Sequence, residues 1–277
     1  YKLGDYEFGA DNRKVTINEK NMIIYPNLSS VKGFGEGVVN TLYELGTSEY
    51  KTFTDVLDVL FLNSINKTIV NKLIRINYFK KYGDVNTLLE TAKLYDLLKG
   101  AKQISKDKAE KNNISFVILA QYGNETAKQF NKLDSEKVLR ELISKIPYKK
   151  VTLKERLDNQ REIIGIVSGS DPEVNKRLYY VSELDIKKSI VNVKLFEIYS
   201  GKTRTVKMWT NQYNRNPFEL GSILYIISLE KKNKKEPTGE VDPKTGKKIY
   251  REVPDKFEFW FGKFTVKNNV EEVVQDI

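Results

Sequence analysis

The sequence predicts an α+β protein of more than one domain, helical over residues 28–146 and β-rich over residues 176–277. Three observations predict it. Apolar residues recur at helical spacing up to Ile146 and at alternating positions after Pro172. Pro147 stands where the first pattern stops. A length of 277 residues, with 40% hydrophobic and 11% aromatic content, supplies core material for about two domains.

Taken in order, residues 1–27 hold two short alternating stretches, Val15-Thr16-Ile17 and Met22-Ile23-Ile24-Tyr25. They predict a β-hairpin or extended cover, the tail of an upstream domain. The chain opens at Tyr1 and is read as a fragment of a longer protein. From Leu28 the period becomes helical. Helices are expected over 37–45 (Val38, Val39, Leu42 and Leu45 on one face, Gly46 ending it), 54–61, 67–76 with Asn66 as cap, 85–98, 124–130 and 136–146. Residues 147–175 are expected to be a linker with one helix, 153–165. Strands follow at 177–185, 190–199, 202–209, 223–229 and 257–266, with Ser200-Gly201 as a tight hairpin turn. Residues 211–219 are short and irregular or helical, and 231–256 are expected to be a polar, charged loop. Five strands interrupted between the third and fourth match the order of an OB-fold β-barrel over residues 176–277.

Composition excludes several chemistries. With no cysteine and no histidine, disulfides, zinc fingers and triads built on His or Cys are ruled out. No apolar run approaches the length of a membrane span, and the polar first twenty residues are not a signal peptide. Net charge is +10, shared between both halves. A polyanionic partner explains it, since Lys and Arg that neutralise phosphates release condensed counterions. The alternative is a solvated, Lys-rich surface of a low-GC genome.

One segment carries chemistry. Leu28-Ser29-Ser30-Val31-Lys32-Gly33-Phe34-Gly35-Glu36-Gly37 follows a helix-hairpin-helix pattern: apolar residue, spacers, apolar-x-Gly-apolar-Gly, then a helix. Two glycines around one apolar residue permit a sharp turn with positive φ and a close approach of backbone to phosphate. The N–H groups opening the next helix then face that phosphate. The candidate backbone-binding residues are Ser30, Lys32, Gly33, Phe34, Gly35, Glu36 and Gly37, with Phe34 as the plug that fixes the hairpin to the core. Such contacts position DNA without reading its sequence. The competing reading is a tight turn and no more.

The order Leu28-x-x-Val31-Lys32-Gly33-Phe34-Gly35, then Phe53-x-x-x-x-Asp58, then Ile65-Asn66-Lys67-x-Ile69-x-x-Leu73-Ile74 with Phe79 and Gly83, resembles the tandem helix-hairpin-helix region of bacterial family C replicative polymerases, the DNA polymerase III alpha subunits. Glu162-Ile163-Ile164-Gly165-x-Val167-Ser168-Gly169-Ser170-Asp171-Pro172 resembles the segment before that family's OB domain. The resemblance covers about residues 10–230. It implies a region gripping duplex DNA, an OB domain on the single-stranded template, and a parent DNA-directed DNA polymerase using Mg2+ in a palm upstream of Tyr1. It also implies replisome partners such as a sliding clamp, and a cytoplasmic setting, bacterial or that of a phage's host. The family's second hairpin carries Gly-Ala-Phe where this chain has Ile76-Asn77-Tyr78-Phe79, which points to a phage-type or remote member and to a structural role for that turn.

No cofactor and no catalytic residue are expected in the chain itself. No Asp-x-Asp pair occurs, and Asp55 and Asp58, one helical turn apart, are expected on a solvated face. In the β half, candidate stacking platforms are Tyr180, Phe196, Tyr199, Trp209 and Tyr213, with Trp209 preferred because it ends a strand beside a polar segment. Candidate phosphate partners are Lys187, Lys188, Lys194, Arg204, Lys207, Lys231 and Lys232; Arg204 and Lys207 fall on opposite strand faces. Across residues 231–248, seven lysines, Lys247 among them, face three carboxylates. The expected function is non-sequence-specific DNA binding. The alternative is a protein-interaction or structural module of the replisome with minor DNA contacts.

Overall fold

A computed structural model describes residues 2–246 and 248–267. The chain divides into two compact units, Tyr1–Thr152 and Leu153–Ile277. Both helices and sheets are present, an α+β protein.

In the first unit, β1 (Lys2–Leu3), β2 (Thr16–Asn18) and β3 (Ile23–Tyr25) form a small sheet, β1 parallel and β2 antiparallel to β3. The segment after β1 is built into the helical core. Phe8 lies within 6.3 Å, centroid to centroid, of the Tyr50, Tyr78, Phe79 and Tyr82 rings. The helices are α1 (Glu36–Gly46), α2 (Phe53–Leu62), α3 (Lys67–Arg75) and α4 (Val85–Leu98). Their starts are set by side chains that take up otherwise unpaired N–H groups. Thr52 and Asp55 form a reciprocal capping box, the Asn66 side chain accepts from Ile69 N–H, and Asp84 accepts from Asn86 and Thr87 N–H. Each such cap contributes about 1 kcal/mol. Ile76, Tyr78 and Phe79 are buried, and Asn77 between them takes φ +62. That turn therefore serves the core.

Beyond α4 the expectation of a purely helical region fails. β4 (Gln103–Ser105), α5 (Lys106–Lys111), α6 (Phe116–Gln121), β5 (Asn124–Glu125) and β6 (Gln129–Asn131) precede α7 (Ser135–Ser144), and the strands pair in the order β4-β6-β5. The helix expected over 124–130 is instead a β-turn: Thr126 N–H and Oγ1 both donate to Gln129 O, at 2.8 and 2.7 Å. Strands this short show no period that sequence could reveal.

The second unit opens with α8 (Leu153–Asn159), which continues as a wider turn over Gln160–Ile164 and stops at Gly165, φ +81. Its strands are β7 (Leu178–Ile186), β8 (Ile190–Glu197), β9 (Lys202–Trp209), β10 (Ile223–Ile226), β11 (Leu229–Val241), β12 (Lys248–Phe261) and β13 (Phe264–Lys267), with the short helix α9 (Thr210–Arg215) after β9. They form one seven-stranded sheet in the order β11-β12-β9-β8-β7-β10-β13, not closed into a barrel, where a five-stranded barrel was expected. Two corrections follow. The charged segment expected to be a loop is an antiparallel ribbon, β11 against β12, whose side chains are mostly exposed on both faces. Its lack of apolar alternation disguised it. The expected fifth strand breaks at Gly262-Lys263: β12 runs parallel to β9, with Trp260 opposite Lys207, while β13 runs antiparallel to β10.

Two apolar clusters hold this unit. One gathers Val181, Val193, Leu195, Val206, Met208, Leu224 and Phe261 on one sheet face. The other packs Leu157 of α8 with Leu178, Tyr180, Phe196 and Ile223 on the opposite face. Among the described residues, no helix is long and apolar enough to cross a membrane.

Candidate nucleic-acid interface

Two places assemble the chemistry that sequence pointed to, one in each unit. In the first, Leu28–Ser30 form a single 3-10 turn and lead into the turn Val31–Gly35, which delivers the chain to α1. Leu28, Val31 and Phe34 are buried, so the hairpin is anchored from beneath by three apolar side chains. Lys32 is exposed. Ser30 is occupied locally, its Oγ donating to Asn27 O at 2.6 Å.

The glycines divide. Gly33 takes φ +94, which only glycine adopts cheaply. Gly35 has φ −76, so its conformation demands no glycine. A Cβ added at Gly35 or at Gly37 would meet nothing within 4 Å. The expectation that both hairpin glycines supply positive φ is therefore corrected. Gly35 and Gly37 leave bare backbone at the start of α1, where the first N–H groups have no intrahelical partner and the helix dipole is positive. Glu36 lies in that first turn. One residue escaped sequence reasoning: Lys72 of α3 reaches across to donate from Nζ to Lys32 O at 2.8 Å and lies 5.9 Å from the Phe34 ring centroid. Nothing in the sequence could have paired positions forty residues apart.

The second place lies on β9 and β12. Trp209 is 54% exposed, and its ring lies 4.8 Å from that of the buried Trp260. Ladder pairing sets Trp260 beside Lys207 and Glu258 beside Lys232, so all share one face. Lys207 Nζ donates to Glu258 Oε2 at 2.5 Å and Trp260 Nε1 to Glu258 Oε1 at 2.7 Å, while Lys232 Nζ sits 4.9 Å from the Trp260 ring. Burial alone would raise the Glu258 carboxyl, but these two hydrogen bonds and the Lys207 charge hold it below its ordinary value. A cleft of about 460 Å³ runs here, bordered by Trp209, Gln212, Lys232, Trp260 and Lys263. At the same end, Ile190 pairs with Trp209 and Thr210 Oγ1 donates to Lys187 O, which brings the Lys187-Lys188 turn beside it.

Arg204 and Lys207 do fall on opposite faces. Arg204 lies over the Phe259 ring at 4.8 Å, and Lys231 covers Phe257 at 3.6 Å, both on the side away from Trp209. Tyr199 is half-buried beneath Lys176, 4.9 Å from its ring centroid. Lys194 pairs with Glu183.

Three aromatic candidates are withdrawn. Tyr180 is fully buried; its hydroxyl donates to Asp158 at 2.6 Å and accepts from Arg161 at 3.0 Å. Phe196 is buried under α8, and Tyr213 spends its hydroxyl on Phe218 O at 2.7 Å. The physical reason is α8, which covers the sheet face that Tyr180 and Phe196 share. Trp260, Phe257 and Phe259 went unnoticed as site residues, although the alternation Phe257-Glu258-Phe259-Trp260-Phe261 already separates two chemically different faces. Lys247 lies outside the described residues. Asp55 and Asp58 are engaged structurally, Asp55 in the α2 capping box and Asp58 with the Tyr95 hydroxyl and Lys99. Among the described residues, no three His, Cys, Asp or Glu side chains gather to hold a metal. No family model and no curated protein matches the sequence.

Proposed function

We propose that this chain binds DNA without sequence specificity as part of a replicative DNA polymerase, holding single-stranded template on the Trp209 face and duplex backbone at the Lys32 hairpin. The observation that carries the reading is Trp209, a large ring more than half exposed, braced by Trp260 and flanked by lysines. Bases stack on such rings whatever their sequence, at about 1–3 kcal/mol each. The strand order supports an OB-type platform, though the sheet is not closed into a barrel. One strand interrupted at Gly262-Lys263 pairs with both ends of the run β9-β8-β7-β10, and the ribbon β11–β12 is then the connection bordering the binding face. At the hairpin, bare glycines at the positive end of α1, with Lys32 beside them and Lys72 behind, supply the helix-hairpin-helix chemistry for a phosphate.

On this reading, the polymerase chemistry and its Mg2+ belong to another part of the parent protein, and other replisome subunits are its partners. The test is a titration of the chain with primed-template DNA and with an oligo-dT strand at several salt concentrations. The reading expects salt-dependent binding to both and quenching of tryptophan emission by the single strand. Weak, salt-independent binding sinks it. The replisome interaction module gains if binding is unchanged by substituting Lys32, Gly33 and Gly35 together in a chain that still folds; the exposed Val15, Ile17 and Met22 are where such a partner would dock.

A further inference from the structure

The region that sequence misread has an order of its own: α4, β4, α5, α6, β5, β6, with the strands paired β4-β6-β5. Two short helices joined by a four-residue turn, followed by a β-hairpin that returns to pair with the strand before them, make a helix-turn-helix with a wing. The details fit that motif. Ala109, the one small apolar residue of α5, is fully buried. Asn113 takes φ +55 in the turn, a conformation that asparagine adopts in place of glycine. Ile114 is buried next to it, and its N–H returns to Ala109 O at 2.9 Å. Ile118 and Leu119 anchor α6, while Phe116 packs edge-on against the buried Phe130 of β6 at 5.4 Å.

That packing leaves Ser115, Val117, Ala120 and Gln121 exposed along α6, with Val117 77% exposed. No carboxylate lies on α6. Residues 101–133 carry six lysines against three carboxylates, and one of those three, Glu125 in the wing, is neutralised by Lys106 at 2.6 Å. Among the described residues, Lys108 and Lys111 on α5 and Lys128 at the wing have no ion-pair partner. A short helix presenting small, apolar and amide side chains, framed by uncommitted lysines, is complementary to a major groove: thymine methyls and adenine edges face the helix, and phosphates face the frame.

We propose that residues 103–131 are a winged helix-turn-helix that docks duplex DNA, with α6 in the major groove and the Thr126–Lys128 wing on the adjacent backbone. This is a site separate from the Lys32 hairpin and does not depend on that hairpin's role.

The test uses the whole chain and a labelled duplex of two helical turns, about 20 base pairs. Val117→Glu combined with Lys128→Glu places negative charge at two exposed positions, so the fold should melt as the wild type does. Duplex affinity is expected to fall about tenfold or more, with a shallower salt dependence. Because the chain has no cysteine, Val117→Cys and Ala127→Cys each accept a single photo-crosslinker, expected to capture the duplex in a salt-sensitive and competable manner. Unchanged affinity in the charge variant, or no crosslink from either cysteine, overturns the proposal, including the outcome in which α6 binds a protein instead. Lys32→Glu with Lys72→Glu runs in parallel. If it weakens duplex binding while the α6 variants do nothing, only this inference falls; if the pattern is reversed, the hairpin reading falls and this one stands.

Discussion

Trp209→Ala separates binding from stability at the site that carries the functional proposal. A fully buried tryptophan removes about 150–250 Å² from water. Trp209 is 54% exposed, so about 100 Å² is covered, and at about 25 cal/mol per Å² its loss costs at most about 2.5 kcal/mol. A fold with the usual 5–15 kcal/mol of stability survives that. Loss of a stacking platform costs about 1–3 kcal/mol of binding, which is about 5- to 150-fold in affinity at about 1.4 kcal/mol per tenfold. Fluorescence anisotropy of a labelled oligo-dT strand measures the affinity, and circular dichroism checks the fold. Trp209→Phe, which keeps a ring, should recover most of the loss. The chain holds only two tryptophans, and their rings lie 4.8 Å apart, so tryptophan emission in the wild type reports on this site alone. A folded Trp209→Ala protein with wild-type affinity, or saturation of the wild type without any change in emission, refutes the reasoning.

At the hairpin, Gly37→Ala should raise stability by about 0.5–1 kcal/mol, because alanine suits a helix better and its Cβ meets open space; duplex affinity should fall if a phosphate sits there, read by melting and anisotropy together. Gly33→Ala at φ +94 should instead lower stability by about 1–2 kcal/mol. Tyr180→Phe removes two hydrogen bonds in a buried place and should cost about 1–3 kcal/mol while leaving single-strand affinity unchanged, which a denaturant titration and a binding curve distinguish. The Glu258 carboxyl is held below its ordinary 4.5, so its contribution is present above that value and lost as pH falls through the lower folded value. Acidification below about pH 4.5 should therefore release Trp260 Nε1 and shift tryptophan emission before global unfolding, and Glu258→Gln should abolish that step.

The legible parts of this fold were those with both a long period and a punctuating cap. α2, α3 and α4 have apolar stripes over nine or more residues and start at Thr52, Asn66 and Asp84, and β8 and β9 show the period-two pattern over eight residues each. Two kinds of element escaped. The winged segment is made of strands of two or three residues and helices of six, too short for a hydrophobic period to declare itself. The β11–β12 ribbon has no buried face over most of its length, so the period-two signal that marks a strand was never written into it. The site suffered from a third cause. Whether Tyr180 is a platform or a core residue depends on α8 lying over that face, and strand alternation says which side a residue takes, not what covers it.

Charge also looks different once pairing is known, and this bears on how the single strand would be held. Around Trp209, Lys207 is committed to Glu258, Lys187 to Asp185 and Lys232 to Glu230. Among the described residues on that face, Lys188 and Lys263 carry no ion-pair partner; Lys231 has none either, but it lies on the other face over Phe257. A phosphate that displaces an internal carboxylate from its lysine gains little net charge neutralisation, so only the uncommitted cations should register as released counterions. Two such contacts predict a slope of log affinity against log salt of about −1.4 for a single strand, at about −0.7 per phosphate. Were all five lysines of that face engaged, the slope would approach about −3.5. Anisotropy titrations of oligo-dT from about 50 to 200 mM salt resolve the two. A slope near the steeper value would mean that the ion pairs open on binding and that electrostatics, not base stacking on Trp209, supplies most of the affinity.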